Sequence, residues 1–407
     1  MNAHGQHAVM IAGTGLSCAL GDTPADAVDQ LADGVDPVQV PMGTDGEHQC
    51  PLMAWRQHCP GQADGESESE RLNRMIDNAV AQAIAPLRDQ GIDLSDTAIL
   101  VGSTSKDIGV TEAAYRADLA AGRLDAPPRY DSRHAGVLLS QLGYGTLASR
   151  IANRFRLDGL HWTFNTACAS SANAMLYATR LIQAGVIRRA LVVGIEFGNL
   201  LSLEGFSSLM LISPTTMRPF DRDRDGVVLG EGTGAMLLGR ADELDPAPGY
   251  EGMRLLGGST RGDSSSVTTS SQPGIRAVMC EALANAGLAP GDIGAIKVHG
   301  TSTPANDLVE GRALREVFGA GLPPFTTLKS AVGHTLGACG PIETILFFES
   351  LRRGWIPATS GFRKLDEDIG IAPLDRDLAD PGGAIMLNFF GFGGSNTTLL
   401  VSREGVR

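Results

Sequence analysis

The stretch Asn165-Thr-Ala-Cys-Ala-Ser-Ser-Ala-Asn-Ala-Met175 places Cys168 in a turn of small residues that leads into a helical pattern over 169–183. Small neighbours let both backbone and a substrate approach the sulfur closely. The start of a helix also favours a thiolate, because its unpaired N–H groups and its dipole stabilise negative charge. A cysteine taken alone is more often a small, inert core residue. The stretch therefore predicts a strand–turn–helix junction with a candidate nucleophile at the turn.

The second half of the chain repeats this layout. Residues 328–334 form an extended run and a turn, and a helical pattern follows over 335–352. The repeat predicts two similar α/β halves, 1–245 with the cysteine and 246–407 with two histidines of interest, joined near the acidic, Pro-containing stretch 242–250. The halves would meet face to face, with helices sandwiched between two sheets. A site built from the start of one buried helix in each half would then lie between them.

Short apolar runs alternate with helical patterns along the chain, which predicts an α/β fold with mixed sheets. The runs predicted to be strands cover residues 9–12, 98–102, 190–194, 234–238, 295–298, 384–388 and 397–401. The predicted helices cover residues 71–87, 170–184, 274–286, 307–318 and 340–352.

Composition narrows the class of protein. The chain has 407 residues, 43% of them hydrophobic and 19% charged, which is ordinary for a globular enzyme, and a net charge of −13 that disfavours a general nucleic-acid or anionic-membrane surface. None of its six cysteines forms a C-x-x-C pair, which favours a reducing compartment. The N-terminus lacks a basic signal-type region, and no apolar stretch approaches the ~20 residues that span a bilayer. We expect a cytoplasmic, soluble protein.

Two histidines stand in junctions of their own. His299 follows a predicted strand in Val298-His-Gly-Thr-Ser-Thr-Pro-Ala-Asn-Asp307, and His334 lies in Leu328-Lys-Ser-Ala-Val-Gly-His-Thr-Leu-Gly-Ala-Cys-Gly340. A capped loop histidine, or one at a helix N-terminus, would look similar. A metal site is a competing interpretation, but no carboxylate or third imidazole stands at ligand spacing, so no metal is expected. Asp307 and Glu343 lie near these histidines, with salt bridges or capping as their default roles.

A fourth segment, Asn388-Phe-Phe-Gly-Phe-Gly-Gly-Ser-Asn396, is typical of a tight loop that brings backbone N–H groups close to a ligand. A thiol, two imidazoles and an amide-rich loop are the groups that acyl transfer through a thioester needs.

Taken in order, these segments resemble the β-ketoacyl-acyl-carrier-protein synthases, the elongating condensing enzymes with a thiolase fold. The resemblance spans nearly the whole chain and implies a five-layer αβαβα sandwich without a cofactor. The matching stretches are Thr166-Ala-Cys-Ala-Ser-Ser171, Arg218-Pro-Phe-Asp-Arg-Asp-Arg-Asp-Gly226, Gly230-Glu-Gly232, His299-Gly-Thr-Ser-Thr-Pro-Ala-Asn-Asp307, Leu328-Lys-Ser-Ala-Val-Gly-His-Thr-Leu-Gly-Ala338 and Phe390-Gly-Phe-Gly-Gly-Ser-Asn396.

The resemblance implies roles for individual residues. Cys168 would carry the acyl group as a thioester, and His299 and His334 would act in malonyl decarboxylation and stabilise the enolate. Lys329 and Glu343 would support His334. The amides of Cys168 and Phe392 would form an oxyanion hole, and the Phe392 ring would gate the acyl pocket. Thr301 and Thr303 would contact the phosphopantetheine arm, and Phe206 and Asp307 would also bind substrate.

Two stretches depart from the family pattern, Gly102-Ser-Thr-Ser-Lys-Asp107 and Val193-Gly-Ile-Glu-Phe-Gly-Asn199. They favour a specialised synthase, extending polyene or polyketide chains, over ordinary fatty acid elongation. A non-catalytic partner subunit of the chain-length-factor type is an alternative, although such subunits typically lack the nucleophile. An initiating acyltransferase or a thiolase-like enzyme is a third, which the two-histidine pattern disfavours.

The resemblance also implies partners. An acyl-carrier protein is acidic, so docking on this acidic chain would need a local basic patch, for which Arg71 and Arg74 are candidates. Pairing of these arginines with Glu66, Glu68 or Glu70 is the competing interpretation. A homodimer or a heterodimer with a related subunit is expected, with the apolar strand 191–194 and an apolar loop over 199–212 at its interface.

Overall fold

The computed structural model describes residues 7–35, 37, 39–42, 50–53, 67–112, 118, 121–122, 144–263, 266, 268 and 270–403. These residues form strands and helices. The strands are β1 (Val9–Cys18), β2 (Gln39–Met42), β3 (Cys50–Met53), β4 (Ala98–Gly102), β5 (His161–Phe164), β6 (Arg189–Glu196), β7 (Leu229–Gly230), β8 (Gly232–Arg240), β9 (Arg254–Gly262), β10 (Ile293–Lys297), β11 (Phe325–Thr326), β12 (Trp355–Ile356), β13 (Leu378–Ala379), β14 (Ala384–Gly391) and β15 (Ser395–Ser402). The helices are α1 (Pro24–Ala32), α2 (Glu68–Asp89), α3 (Gly145–Phe155), α4 (Ser170–Gln183), α5 (Leu200–Ser208), α6 (Gln272–Ala286), α7 (Pro304–Phe318), α8 (Lys329–Val332) and α9 (Cys339–Arg352).

Ten of the strands form one sheet in the order β11-β10-β14-β15-β9-β1-β8-β6-β4-β5. The sheet consists of two five-stranded units with the same pattern. In each unit the first three strands from the outer edge run parallel and the next two join antiparallel. Antiparallel pairing of Val9 with Leu255 and of Met10 with Arg254 joins the units through β1 and β9. The predicted pair of similar halves is thereby confirmed, whereas a domain boundary at 245/246 stays a prediction.

Successive strand residues enter different cores, because side chains alternate between the faces of a sheet. In β1, Ile11 faces a central core and Met10 an outer one. The central core holds α4 and α9 between the two sheet units, while α2 and α3 cover the outer face of the N-terminal unit and α6 and α7 that of the C-terminal unit. This is the predicted five-layer αβαβα sandwich. Within the described ranges, no helix is both long and apolar enough to cross a membrane.

The two central helices approach each other closely at their starts. A Cβ added at Gly340 of α9 would lie 2.7 Å from the backbone nitrogen of Ala172 in α4, so only glycine fits there. The thiol of Cys339, at the start of α9, donates to the carbonyl oxygen of Cys168 just before α4 (3.1 Å). This contact brings the two halves' junctions into one place.

All of the predicted strands and helices are present, and the structure adds elements that the sequence pattern did not reveal. β9 is rich in glycine and pairs irregularly with β15, which obscures its apolar alternation. The stretch 199–212, predicted to be an apolar loop, contains α5, capped by the side chain of Asn199. The expectation that strand 191–194 lies at a subunit interface is wrong, because β6 is inside the sheet between β4 and β8. Burial on both faces explains its apolar character.

Candidate active site

Cys168 lies at the turn that precedes α4 and is only 3% exposed. Ala167 before it adopts a left-handed conformation (φ 50°), which is unusual for a residue with a Cβ and turns the sulfur towards the other half. Local hydrogen bonds hold this turn: the hydroxyl of Ser170 accepts the N–H of Thr166 (2.9 Å), and the amide of Asn173 donates to the Thr166 hydroxyl (2.8 Å).

Both predicted histidines belong to the C-terminal half of the chain and lie next to the thiol of Cys168. The Nε2 atom of His334 lies 3.1 Å from the Sγ atom of Cys168. The ring of His299 stands edge-on to that of His334, with 5.5 Å between their centroids. Burial, followed by the positive charge of Lys329, holds the pKa of both imidazoles well below the usual value. Both rings are therefore neutral at pH 7, and each can donate one N–H to an oxygen atom.

Electrostatics around the sulfur work in opposite directions. Burial raises the pKa of Cys168 to about 11, while the charge of Lys329 and the backbone N–H of Phe392 act to lower it. Phe392 opens a short 3₁₀ turn after β14, which aims its amide at the sulfur. Two N–H groups near a thiol, its own and that of Phe392, are the arrangement that stabilises an oxyanion formed on an acyl group there.

A cavity of about 110 Å³ opens at the sulfur, and seven of the predicted site residues line it. They are Cys168, Phe206, His299, Thr301, Thr303, His334 and Phe392. The rings of Phe206 and Phe392 stack at 5.2 Å and close one side. A larger surface concavity of about 1110 Å³ between α2 and α3 shares no lining residue with this one, and the reactive groups converge on the smaller.

Lys329 and Glu343 lie behind the cavity wall, both fully buried. The Nζ atom of Lys329 lies 2.5 Å from one carboxylate oxygen of Glu343, so the predicted association of the two is present. The second carboxylate oxygen binds Lys297 at 2.8 Å, a residue that the sequence pattern did not single out.

Asp307 is placed elsewhere. It is fully buried at the start of α7, its carboxylate accepts the N–H of Phe220 (2.8 Å), and it does not line the cavity. Its predicted role in substrate binding is therefore corrected to one of holding the loop at Phe220.

Arg71 is also placed differently from its prediction. It is 5% exposed, its guanidinium forms hydrogen bonds to both carboxylate oxygens of buried Glu231 (2.8 and 3.3 Å), and it covers the ring of Phe197 at 4.0 Å. It also pairs with Glu68 (3.1 Å), while Glu66 lies outside the described residues. A buried, doubly paired arginine cannot present its charge to a partner, so its predicted docking role is wrong. Arg74 is half-buried and lines the concavity between α2 and α3.

Sequence reasoning missed three buried charged residues that shape the site. Glu310 of α7 accepts the N–H groups of His299 (2.7 Å) and Gly300 (2.9 Å), and so fixes the histidine's backbone. Lys297 ends β10, two residues before that histidine. Glu196 ends β6. Each is a charged residue within a strand or helix pattern whose other positions are predicted to be buried. Because charged residues are rarely buried without a partner, this pattern is the sequence signal that could have identified them.

The two departures from the family pattern meet at Glu196. Its carboxylate accepts N–H groups from Thr104 (3.1 Å) and Ser105 (3.2 Å), and also that of Gly337 (3.0 Å) after His334. The hydroxyls of Thr104 and Ser105 donate to it as well. The polar stretch 102–107 thus supplies the partners that a buried carboxylate needs. Among the described residues, no group of three or more His, Cys, Asp or Glu side chains is placed to hold a metal ion.

Comparison with known proteins agrees with this geometry. A β-ketoacyl synthase N-terminal domain model matches residues 6–243, and a β-ketoacyl synthase C-terminal domain model matches residues 254–363. The chain is 36% identical over 251 residues to a 3-oxoacyl-[acyl-carrier-protein] synthase 2 of Mycobacterium tuberculosis, covering 58% of this chain and 60% of that protein's length. It is 26% identical over 357 residues to the Vibrio cholerae protein of the same name, covering 83% and 84%.

Among solved structures, the ketosynthase ApeO in complex with its chain length factor ApeC from Xenorhabdus doucetiae superimposes with a TM-score of 0.81 at 27% identity, covering 99% of both chains. Because the two domain models match well over half of its length, the chain belongs to the β-ketoacyl synthase family.

Proposed function

We propose that the protein catalyses the decarboxylative condensation of an acyl thioester with malonyl-acyl-carrier protein, giving a β-ketoacyl-acyl-carrier protein. The observation that carries this proposal is the 3.1 Å contact between His334 and Cys168 inside a cavity that also holds His299 and the amide of Phe392. A nucleophile, neutral imidazoles and an amide pair in one buried place match what thioester condensation requires.

In the loading step, the sulfur of Cys168 attacks the carbonyl carbon of an acyl-pantetheine thioester. The new C–S bond forms as the bond to the pantetheine sulfur breaks, and the pantetheine thiol leaves with the proton that Cys168 gives up. The carbonyl oxygen carries negative charge in the transition state, and the N–H groups of Cys168 and Phe392 stabilise it there. Thr301 and Thr303, whose hydroxyls lie 3.0 Å apart in the cavity wall, would bind the pantetheine arm.

In the condensation step, the malonyl thioester loses CO₂, and the electron pair of the broken C–C bond remains as an enolate. His299 and His334 donate N–H groups to the enolate oxygen, which neutral imidazoles can do. The enolate carbon then attacks the acyl group on Cys168, and a C–C bond forms as the C–S bond breaks. The leaving thiolate takes up one proton from solvent, which replaces the proton that left with the pantetheine thiol during loading.

We infer that an acyl-carrier protein delivers both substrates and that a second subunit, identical or related, completes the assembly in the cytoplasm. The names of the curated relatives include the carrier protein, and ApeO is paired with a chain length factor. Arg74 lines the concavity between α2 and α3 together with Arg150 and Arg154, which makes this surface our candidate for docking. The departures from the family pattern at residues 102–107 and 193–199 favour elongation of polyketide or polyene chains over bulk fatty acid synthesis.

The test is mass spectrometry of the protein incubated with acyl- and malonyl-acyl-carrier proteins of several chain lengths. We expect an acyl adduct on Cys168 and then a β-ketoacyl product. Neither adduct nor product with any carrier, including in the presence of a co-expressed partner chain, would favour the chain-length-factor alternative. For docking, Arg74→Glu should raise KM for the carrier-bound substrate at low salt and leave turnover of a small acyl-pantetheine thioester unchanged; equal loss with both substrates would contradict it.

A further inference from the structure

Lys297 is a buried cation to which the proposed chemistry assigns no role. It ends β10 and is 0% exposed, with its side chain directed into the central layer. Its ammonium donates to a carboxylate oxygen of Glu343 and to the backbone oxygen of Asn388, both at 2.8 Å. It also lies 3.5 Å from the centroid of the Phe389 ring. The ammonium group of Lys297 is therefore fixed by contacts inside the fold and is shielded from solvent.

The carboxylate of Glu343 is therefore divided between two cations. One oxygen binds Lys329 at 2.5 Å and the other binds Lys297 at 2.8 Å. Two ammonium groups and one carboxylate leave the cluster with one net positive charge. A simple pair of Lys329 with Glu343 would carry none, and its field at a distance would largely cancel.

The positive charge of the cluster affects the pKa values of Cys168, His299 and His334. The charge of Lys329 acts to lower the pKa of Cys168, and both lysines act with burial to lower the pKa of His299 and His334. Burial lowers the pKa of Lys297 itself to about 8, because Glu343 only partly offsets its desolvation. It is thus mainly charged at neutral pH. The titratable groups that interact with Lys297 are Glu343 and Cys339 of α9, Lys329 of α8, Glu310 of α7, and the imidazoles of His299 and His334.

We propose that Lys297 is a positioning residue of this site: by taking one oxygen of Glu343, it leaves Lys329 incompletely neutralised, so that a net positive charge behind the cavity favours the thiolate of Cys168. The functional meaning of this arrangement rests on the proposed condensing activity. The electrostatic effect itself depends only on Lys297, Glu343, Lys329 and Cys168, and it can be measured without any turnover.

The test is the rate at which iodoacetamide alkylates Cys168, followed by peptide mapping, in Lys297→Met. This variant keeps most of the side-chain volume and removes the charge. At neutral pH we expect alkylation to slow about tenfold, because moving a thiol pKa up by about one unit reduces the thiolate tenfold. The rate profile should move to higher pH by the same amount. A purely structural role for Lys297 would not shift this profile. Arg189→Met is the matched control, since it removes a buried cation from its pair with Asp96 at the far end of β6.

The double variant Lys297→Met with Glu343→Gln restores one net positive charge, carried by Lys329 alone. Its alkylation rate should return to within about threefold of the parent protein if charge controls the thiol. Unchanged alkylation in folded Lys297→Met would overturn the proposal. If that variant does not fold, the double variant decides: a rate near the parent's supports the proposal, and a tenfold slower one overturns it. If the alkylation rates of these variants follow the net charge of the cluster but the protein shows no condensing activity with any substrate, this inference stands and the proposed function is refuted.

Discussion

The Nε2 atom of His334 lies 3.1 Å from the Sγ atom of Cys168, although the two residues are 166 positions apart and belong to different halves of the chain. The contact depends on the close approach of α4 and α9, where Gly340 meets the backbone of Ala172. The central layer of the sandwich therefore has two functions. It buries the largest apolar core, and it aligns the groups that would perform the chemistry.

Cys168→Ala should abolish both self-acylation and condensation, because no other thiol lines the cavity in the part of the chain that the structure describes. We expect the condensation rate to fall by at least about 10³-fold, as when a nucleophile is removed. Intact-mass spectrometry and product analysis measure the two steps. Cys280→Ala, a partly exposed cysteine away from the cavity, is the control and should behave as the parent protein. Condensation that survives in Cys168→Ala would exclude a covalent thioester.

His299→Ala should still load an acyl group but lose condensation by roughly 10²-fold, the usual cost of one lost oxyanion donor. The ring of His299 packs against that of His334, and it is His334 that lies within hydrogen-bonding distance of the sulfur. We therefore expect His299 to stabilise the enolate and not to assist acyl loading. Single-turnover acylation and malonyl decarboxylation, measured separately, distinguish these steps. Loss of loading with normal decarboxylation would reverse the assignment.

The pH dependence of turnover should follow the imidazoles. Because burial and Lys329 hold the pKa of His299 and His334 well below the usual value, the neutral rings persist as the pH falls through 6.5. We expect kcat to stay level there and to decline only at clearly lower pH. Lys329→Met removes a positive charge, so both pKa values should rise and the decline should move to higher pH. Lys364→Met, an exposed lysine paired with Asp223, should leave the profile unchanged. An acid limb at 6.5 in the parent protein would contradict the buried, neutral state.

Arg71→Ala should destabilise the fold without a selective effect on the carrier protein. Removing it breaks the buried ion pair with Glu231, which costs about 3–5 kcal/mol in comparable buried pairs. Urea unfolding measures the change in free energy. Arg261→Ala, an exposed arginine paired with Glu281 and outside the candidate docking surface, is the control and should have little effect. A stable Arg71→Ala protein with a raised KM only for carrier-bound substrate would restore a docking role.

Phe392→Ala should widen the range of acyl groups that Cys168 accepts. The stacked rings of Phe206 and Phe392 close a cavity of about 110 Å³, which leaves room for only a short chain unless a ring moves. Competition between short and long acyl-pantetheine thioesters should show a larger relative gain for the long one. Phe206→Leu keeps an apolar side chain and should change the ratio less. Equal loading rates for both lengths in the parent protein would show that the ring does not gate the pocket.

Local sequence patterns predicted most of the strands and helices and part of the candidate active site. The apolar runs and helical periods predicted β1, β4, β6, β8, β10, β14 and β15 and the helices α2, α4, α6, α7 and α9, because burial periodicity is a property of neighbouring residues. They failed at β9, where two adjacent glycines interrupt the alternation, and at α5, where polar and apolar residues are mixed without a helical period. The motif residues Cys168, His299, His334 and Phe392 were found because small and Gly-rich neighbours mark close backbone approach.

By itself, the sequence determined two similar α/β halves with helices sandwiched between two sheets and the set of groups able to perform thioester chemistry, since both follow from local composition and order. The five-layer αβαβα architecture was implied by the resemblance to the β-ketoacyl synthases. The tertiary structure alone decided which charges are buried and what they pair with. Arg71 and Asp307 proved to be internal partners of Glu231 and Phe220, and Lys297 proved to share Glu343 with Lys329. Such pairings join residues up to 160 positions apart, and the desolvation of a charge depends on every element packed around it, which no local pattern contains.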